Sequence, residues 1–149
     1  MDQAALRAAA EAGLAAGGWC PPGRTCDDGV IPAWFPLRET PQERSPQAPE
    51  VPRSQRTEWN VRDSDAVLIL RPAALEKDAG SDWAARCATR YRRPLLVCDP
   101  ADPGAAARIR QWLHAHAVKV LNVAGPGERK APGIGARVEA LLRVVFGSL

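Results

Sequence analysis

Three stretches of this chain carry side chains that packing alone does not call for, and the chemistry they suggest is the holding of an anion. The first is Gly17-Gly18-Trp19-Cys20-Pro21-Pro22-Gly23-Arg24. Glycine lets main-chain N–H groups approach a ligand, the prolines stiffen the turn, and Arg24 offers a fork of donors to an oxyanion. A strand-to-loop turn with Trp19 as a lid over the core accounts for the same residues. The second runs from Gln55 to Asp65 and contains Arg56, Thr57 and Asn60. Arg56 and Asn60 stand four apart, so a helix puts them on one face. Asn60 suits the polar edge of a ring, Arg56 suits a phosphate, and Thr57 is either a helix cap or a further ligand contact. A solvated amphipathic helix competes with this view. The third is Asn122 to Gly133, where a strand enters a turn at Gly125 and Gly127 and passes Arg129 and Lys130 before a helix. Bare amides, a helix N-terminus and Lys130 can hold an anion there. A plain strand-to-helix turn needs the same glycines, and the spacing matches neither the Walker A loop nor GxGxxG.

Signs of catalysis are scarce. There is no GxSxG elbow and no HExxH. His114 and His116 lie two apart and face different ways on a helix, with His116 on the apolar side as a packed residue. Cys20, next to Arg24, is the thiol that a cation could activate. The four cysteines form no CxxC pair and no zinc-ligand spacing, so neither zinc nor a disulfide framework is expected. Glu58 and Glu128 are the carboxylates available to a hydrolase acting on nucleotides, while Asp63 and Asp65 read as caps or as partners of Arg62.

These residues need a scaffold. An alanine-rich helix is expected over 2–14, followed by a short extended piece at 18–20. Prolines then keep the chain irregular to about residue 55. Ile31, Trp34, Phe35 and Leu37 anchor its first part. The stretch 41–54 has almost nothing apolar and is expected to flex. Helix 55–63 comes next, with Ser54 or Thr57 as its cap. Ala66 to Leu70 is an uninterrupted apolar run, the mark of a strand buried on both faces. Helix 81–92 has Trp83, Cys87 and Tyr91 on one face. A second buried strand is expected at 95–98, helix 104–116, a third strand at 118–123 and a last helix at 135–146. Alternating strands and helices with short links predict one α/β domain over 1–149, a Rossmann-like three-layer sandwich around a mostly parallel sheet. Ligands of such sheets bind beyond the carboxyl ends of the strands. That puts Arg71, Asp99, Asn122 and Gly125 near the Trp19 to Arg24 turn.

At 149 residues the chain is the size of one domain. Its formal net charge of +3 comes from 20 basic residues spread among 17 acidic ones. A nucleic-acid binder would concentrate them, so no nucleic-acid partner is expected. No apolar run is long enough to cross a membrane, and no secretory signal opens the chain, so the expectation is a cytoplasmic protein with no membrane partner.

In this order and spacing, the three stretches resemble the putative molybdenum (cofactor) carrier family, within a Rossmann-like superfamily of nucleotide-ligand sensors and lysine-decarboxylase-like proteins. The matching residues are Gly17 to Arg24, Asp28 to Ala33, Leu37 to Pro41, QRTEWNVRDSDAVLIL at 55–70 and LNVAGPGERKAPGI at 121–134. The resemblance implies a non-catalytic carrier of an anionic pterin- or nucleotide-like ligand, molybdenum cofactor or a related phosphate-bearing molecule, in a homo-oligomer (dimer or tetramer). A phosphoribohydrolase-like enzyme or a degenerate ligand-sensing module is the alternative. Two departures stand out. The family opens with a central strand and a Gly-Gly-Gln-Thr-Gly loop, whereas this sequence starts within the helix that follows, with Met1 where relatives have valine. The natural protein is therefore expected to begin about 15 to 20 residues upstream, enough for one strand and its loop. Relatives also carry a glycine-rich turn after the strand ending at Leu70, where this chain has Asp78 to Trp83. Residues 42–54 are longer than the usual connection.

Overall fold

The run Ala66 to Leu70 organises everything else, because all five residues are buried. Successive side chains of a strand point to opposite faces, so Val67 and Ile69 enter one apolar cluster while Leu68 and Leu70 enter another. A strand buried this way needs helices on both sides. The computed structural model describes residues 2–26 and 29–149. Met1 and Asp28, which figure in the family resemblance, lie outside the described residues.

In chain order the elements are α1 (Asp2–Glu11), β1 (Trp19–Cys20), a 3-10 turn at Pro22–Arg24, β2 (Thr25–Cys26), β3 (Gly29–Val30), β4 (Arg38–Glu39), α2 (Ser54–Arg62), β5 (Ala66–Leu70), α3 (Ala79–Arg90), β6 (Leu95–Cys98), α4 (Ala105–Ala115), β7 (Leu121–Ala124) and α5 (Ile134–Gly147). The main sheet has the order β6-β5-β7 and is parallel throughout. Val67 stands level with Leu95 on one side and Asn122 on the other. β1 pairs in parallel with β4, and β2 pairs antiparallel with β3.

One face of the main sheet is covered by α1, α4 and α5 through Ala4, Ala8, Ile109, Val138, Leu142 and Val145. The other is covered by α2 and α3 through Val61, Trp83, Ala84 and Cys87. The result is the expected Rossmann-like α/β sandwich. Among the described residues, no helix is long and apolar enough to cross a membrane.

Several local expectations need correction. β6 is an edge strand, with Leu95 37% and Val97 49% exposed, so it is not buried on both faces. β7 starts at Leu121 because Val118 still bonds back to Leu113 at the end of α4 and the amides of Lys119 and Val120 donate to Asp65 Oδ2. His116 caps the C-terminus of α4 and is exposed. Neither Ser54 nor Thr57 caps α2. Its N-cap is Arg53, in the left-handed region with φ 56°. The stretch 41–54 has anchors that its composition hides: Ala48 and Val51 are buried in the α2/α3 cluster. Ser54 accepts the Ser45 N–H at 2.8 Å and donates to the Ala48 carbonyl at 2.8 Å.

Candidate functional site

The chain runs from β5 outward to β6, then back across β5 to β7, so its direction of travel reverses between β5 and β7. Open parallel sheets leave a crevice beyond the carboxyl ends at such a point. In this chain that region is rich in internal pairs. Lys130 Nζ lies 3.3 Å from Asp78 Oδ1, and the Asp78 side chain is only 8% exposed. Arg71 lies 3.1 Å from Asp82 and donates to the Leu75 carbonyl at 2.8 Å. Asp78 also caps α3, accepting the Ser81 N–H at 3.1 Å and the Ser81 hydroxyl. The N-terminus of α3 thus carries its own carboxylate. Asp99 accepts the N–H groups of Ala73 and Ala101, which hold its carboxyl below the usual carboxylate range.

Beside β7 lies a cavity of about 270 Å³. Of the residues expected to bind a ligand, Trp19, Cys20, Arg56, Asn60, Asn122, Gly125 and Gly127 all line it. Arg53, Glu128 and residues Gln3 to Arg7 of α1 also line it. The helix α2 explains part of this grouping: Arg56 and Asn60 share one of its faces, as their spacing requires. Trp19 is fixed from several directions. Its indole N–H donates to Asp63 at 2.8 Å, its ring meets the edge of Trp59 at 4.8 Å, and Arg38 lies over it at 4.2 Å. Asp63 is held below the usual carboxylate range by Arg62 first, with the Trp19 indole adding to the effect.

Gly23, Arg24, Thr57, Arg129 and Lys130 do not line this cavity. Arg24 donates to the carbonyls of Ile31, Pro32, Phe35 and Leu37 at 2.8 to 3.3 Å. Its guanidinium therefore holds the 31–37 loop rather than presenting an open fork. Gly23, at φ 74°, donates its N–H to Glu39 at 2.5 Å. The Thr57 hydroxyl donates to the Arg53 carbonyl at 3.4 Å. Arg24 is engaged with the loop carbonyls and Lys130 with Asp78, whereas Arg56 lines the cavity. Cys20 is 1% exposed, and burial pushes its thiol up, with Arg24 and Arg56 pulling the other way. Activation of this thiol is not what the surroundings favour.

Sequence reading missed Arg53 as a lining residue and gave Glu128 a different role. Arg53 joins the cavity because its left-handed backbone turns the chain into α2; only the preceding Pro52 hinted at a break there. Glu128 was weighed as a catalytic carboxylate, but its role is different. Oε2 accepts the Gly133 N–H and Oε1 accepts the Gly135 N–H, each at 2.8 Å. Those bonds lower its pKa and place a carboxylate at the N-terminus of α5, where the amides were expected to meet a ligand anion. Glu58, the other carboxylate considered, is buried and accepts the hydroxyls of Ser45 and Tyr91, the latter at 2.6 Å. Among the described residues, no group of three or more His, Cys, Asp or Glu side chains could hold a metal ion.

The model of the circularly permutated YpsA SLOG family matches residues 1–146. The chain belongs to that family. Among solved structures, this family member is similar to "Putative molybdenum carrier protein" from Syntrophus aciditrophicus SB, with 35% identity and a TM-score of 0.84. The match covers 96% of this chain and 86% of that one. No curated protein matches this SLOG-family chain.

Proposed function

We propose that this chain is a non-catalytic carrier that binds a small anionic pterin- or nucleotide-like molecule in the cavity beside β7, with molybdenum cofactor as its cargo. The observation that carries this reading is the meeting of Trp19, Cys20, Arg56, Asn60, Asn122, Gly125 and Gly127 around one cavity. A family relative whose name describes a molybdenum carrier supports the choice of cargo.

The chemistry divides among the lining residues. Arg53 and Arg56 meet the phosphate, and charge-assisted hydrogen bonds of that kind are worth roughly 1.5 to 3 kcal/mol each. Asn122 reads the polar edge of the ring system, since the Asn60 carboxamide is already engaged with Trp19. Trp19 supplies an aromatic wall. Gly125 and Gly127 allow a ligand to come close to the main chain. The carrier works as a homo-oligomer in the cytoplasm.

Binding without catalysis is favoured over a phosphoribohydrolase-like reaction by Glu128. It is the glutamate that reaches the cavity wall, and both its oxygens are occupied by Gly133 and Gly135. Native mass spectrometry of protein purified from cells that make molybdenum cofactor tests the carrier reading, and should show a mass increment matching a phosphate-bearing pterin. Release of free base from nucleoside monophosphates, with no mass increment, would overturn it in favour of the hydrolase.

A further inference from the structure

β6 closes the main sheet on the side away from β7, and its outer edge is apolar. In a parallel ladder, alternate residues of a strand turn both main-chain groups to the same neighbour. The carbonyls of Pro94 and Cys98 accept the N–H groups of Val67 at 2.9 Å and Arg71 at 3.0 Å, so they face β5. Leu95 and Val97 therefore turn their N–H and C=O outward. Natural sheet edges are usually blunted by charge, proline or a bulge. Leu95 to Cys98 carries neither charge nor proline, and its register on β5 runs without a bulge.

The side chains of the strand divide between two faces. Leu96 and Cys98 pack into the cluster of α1, α4 and α5, so Leu95 and Val97 point to the opposite face. On that face α3 sets Trp83, Ala84 and Cys87 over Val67 and Ile69 of β5 and reaches Ala124 of β7. It leaves β6 uncovered, and Leu95 and Val97 are exposed. The flanks of the strand carry opposite charge: Arg92 and Arg93 precede it, and Asp99 and Asp102 follow it. Arg93 gives one guanidinium N–H to the Arg62 carbonyl at 2.8 Å. Its buried Nε has no hydrogen-bond partner among the described residues.

We propose that β6 is the contact between two copies of this chain, paired antiparallel about a two-fold axis at Leu96, so that two main sheets become one. Outward main-chain groups meet outward ones only when the axis stands level with a residue of the strand. An axis at Leu95 sets Arg93 against Val97 of the second copy, and an axis at Val97 sets Leu95 against Asp99. With the axis at Leu96, Leu95 lies opposite Val97 of the second copy and exchanges both hydrogen bonds with it, while Arg93 lies opposite Asp99. Apolar side chains then meet in the centre and unlike charges at both ends, and the axis repeats every pair. This self-matching pattern favours a second copy over an unrelated strand. The contact gives the homo-oligomer of the carrier reading a specific interface and does not depend on the cargo. The ligand cavity lies beside β7, across β5 from this edge, so pairing and binding are measured separately.

Analytical ultracentrifugation of the parent chain, Leu95→Glu, Val97→Lys and the double variant tests this. Both positions are exposed, so the fold is kept, and circular dichroism checks that it is. The parent should sediment as a dimer. Each single variant sets a charge against an apolar side chain of the second copy and should raise the dissociation constant by about tenfold or more. In the double variant the new carboxylate of one copy meets the new ammonium of the other, and the affinity should recover. Hydrogen exchange adds a main-chain readout. The outward amides of Leu95 and Val97 should gain protection as parent concentration rises, while the Leu96 amide, turned to β5, stays protected throughout. A parent that stays monomeric, with the Leu95 and Val97 amides exchanging fast at every concentration, would overturn the proposal and leave the edge to a different protein. Single variants that pair as tightly as the parent would overturn it too. A double variant no tighter than the single ones would overturn the register.

Discussion

Asn60 holds both main-chain groups of Trp19: its Oδ1 accepts the Trp19 N–H at 2.8 Å and its Nδ2 donates to the Trp19 carbonyl at 3.1 Å. This single side chain ties α2 to β1 across 41 residues of sequence, and it sits in the wall of the proposed ligand cavity. A Cβ at Gly18 would stand 2.8 Å from the same Asn60 oxygen, so glycine is required next to the contact.

Replacing Asn60 by Leu removes both bonds and leaves two partly buried main-chain groups without them. The loss should be about 1 to 3 kcal/mol, seen as a lower denaturant midpoint with an unchanged slope. Asn60→Asp keeps the acceptor for the Trp19 N–H but turns a carboxylate oxygen toward the Trp19 carbonyl, so above the carboxylate pKa it should destabilise as well. A midpoint unchanged in both variants would show that water replaces the carboxamide at no cost.

Glu128 occupies the N-terminus of α5 with its own carboxylate. Glu128→Gln keeps the reach of the side chain and removes the charge that competes with a ligand anion. Affinity for a phosphate-bearing probe such as guanosine monophosphate should rise several-fold in calorimetry, following the preference of helix N-termini for anions. A fall in affinity would place Glu128 in contact with the ligand instead.

Acid should loosen the tie between α2 and β1. The pKa of Asp63 is lowered, first by Arg62 and also by the Trp19 indole, so the unfolded chain takes up this proton before the folded one does. The contribution of Asp63 to stability is therefore complete above the ordinary carboxylate value of about 4 and fades as pH falls below it. Thermal unfolding between about pH 6 and pH 3 should show a falling midpoint, with a shallower fall in Asp63→Asn. Identical slopes in the two proteins would remove Asp63 from the account.

The scaffold was largely written in the sequence, because its strongest signals are patterns that depend on burial. Ala66 to Leu70 reads as a doubly covered strand and is one. Trp83, Cys87 and Tyr91 share one helix face, with Cys87 fully buried and its thiol pushed up to about 12 by burial. An apolar tetrapeptide does not reveal whether it lies inside or at the edge of a sheet, so Leu95 to Cys98 was misjudged. The start of β7 depended on Asp65, 55 residues away from the Val120 amide it binds, and nothing local signals such a bond. The site was half legible. The residue types around the cavity could be chosen from composition and spacing, but the employment of each cation could not. Arg24 faces four carbonyls and Lys130 faces Asp78, partners supplied only by the folded chain.

The most direct test of the ligand site is calorimetry of Arg56→Ala and Lys130→Ala side by side with the parent, titrated with a phosphate-bearing pterin or nucleotide. Arg56 lines the cavity and Lys130 does not. The account predicts that binding weakens by about tenfold or more in Arg56→Ala, the equivalent of about 1.4 kcal/mol, and stays near the parent value in Lys130→Ala. Equal affinity in the parent and Arg56→Ala, or a greater loss in Lys130→Ala, would contradict it.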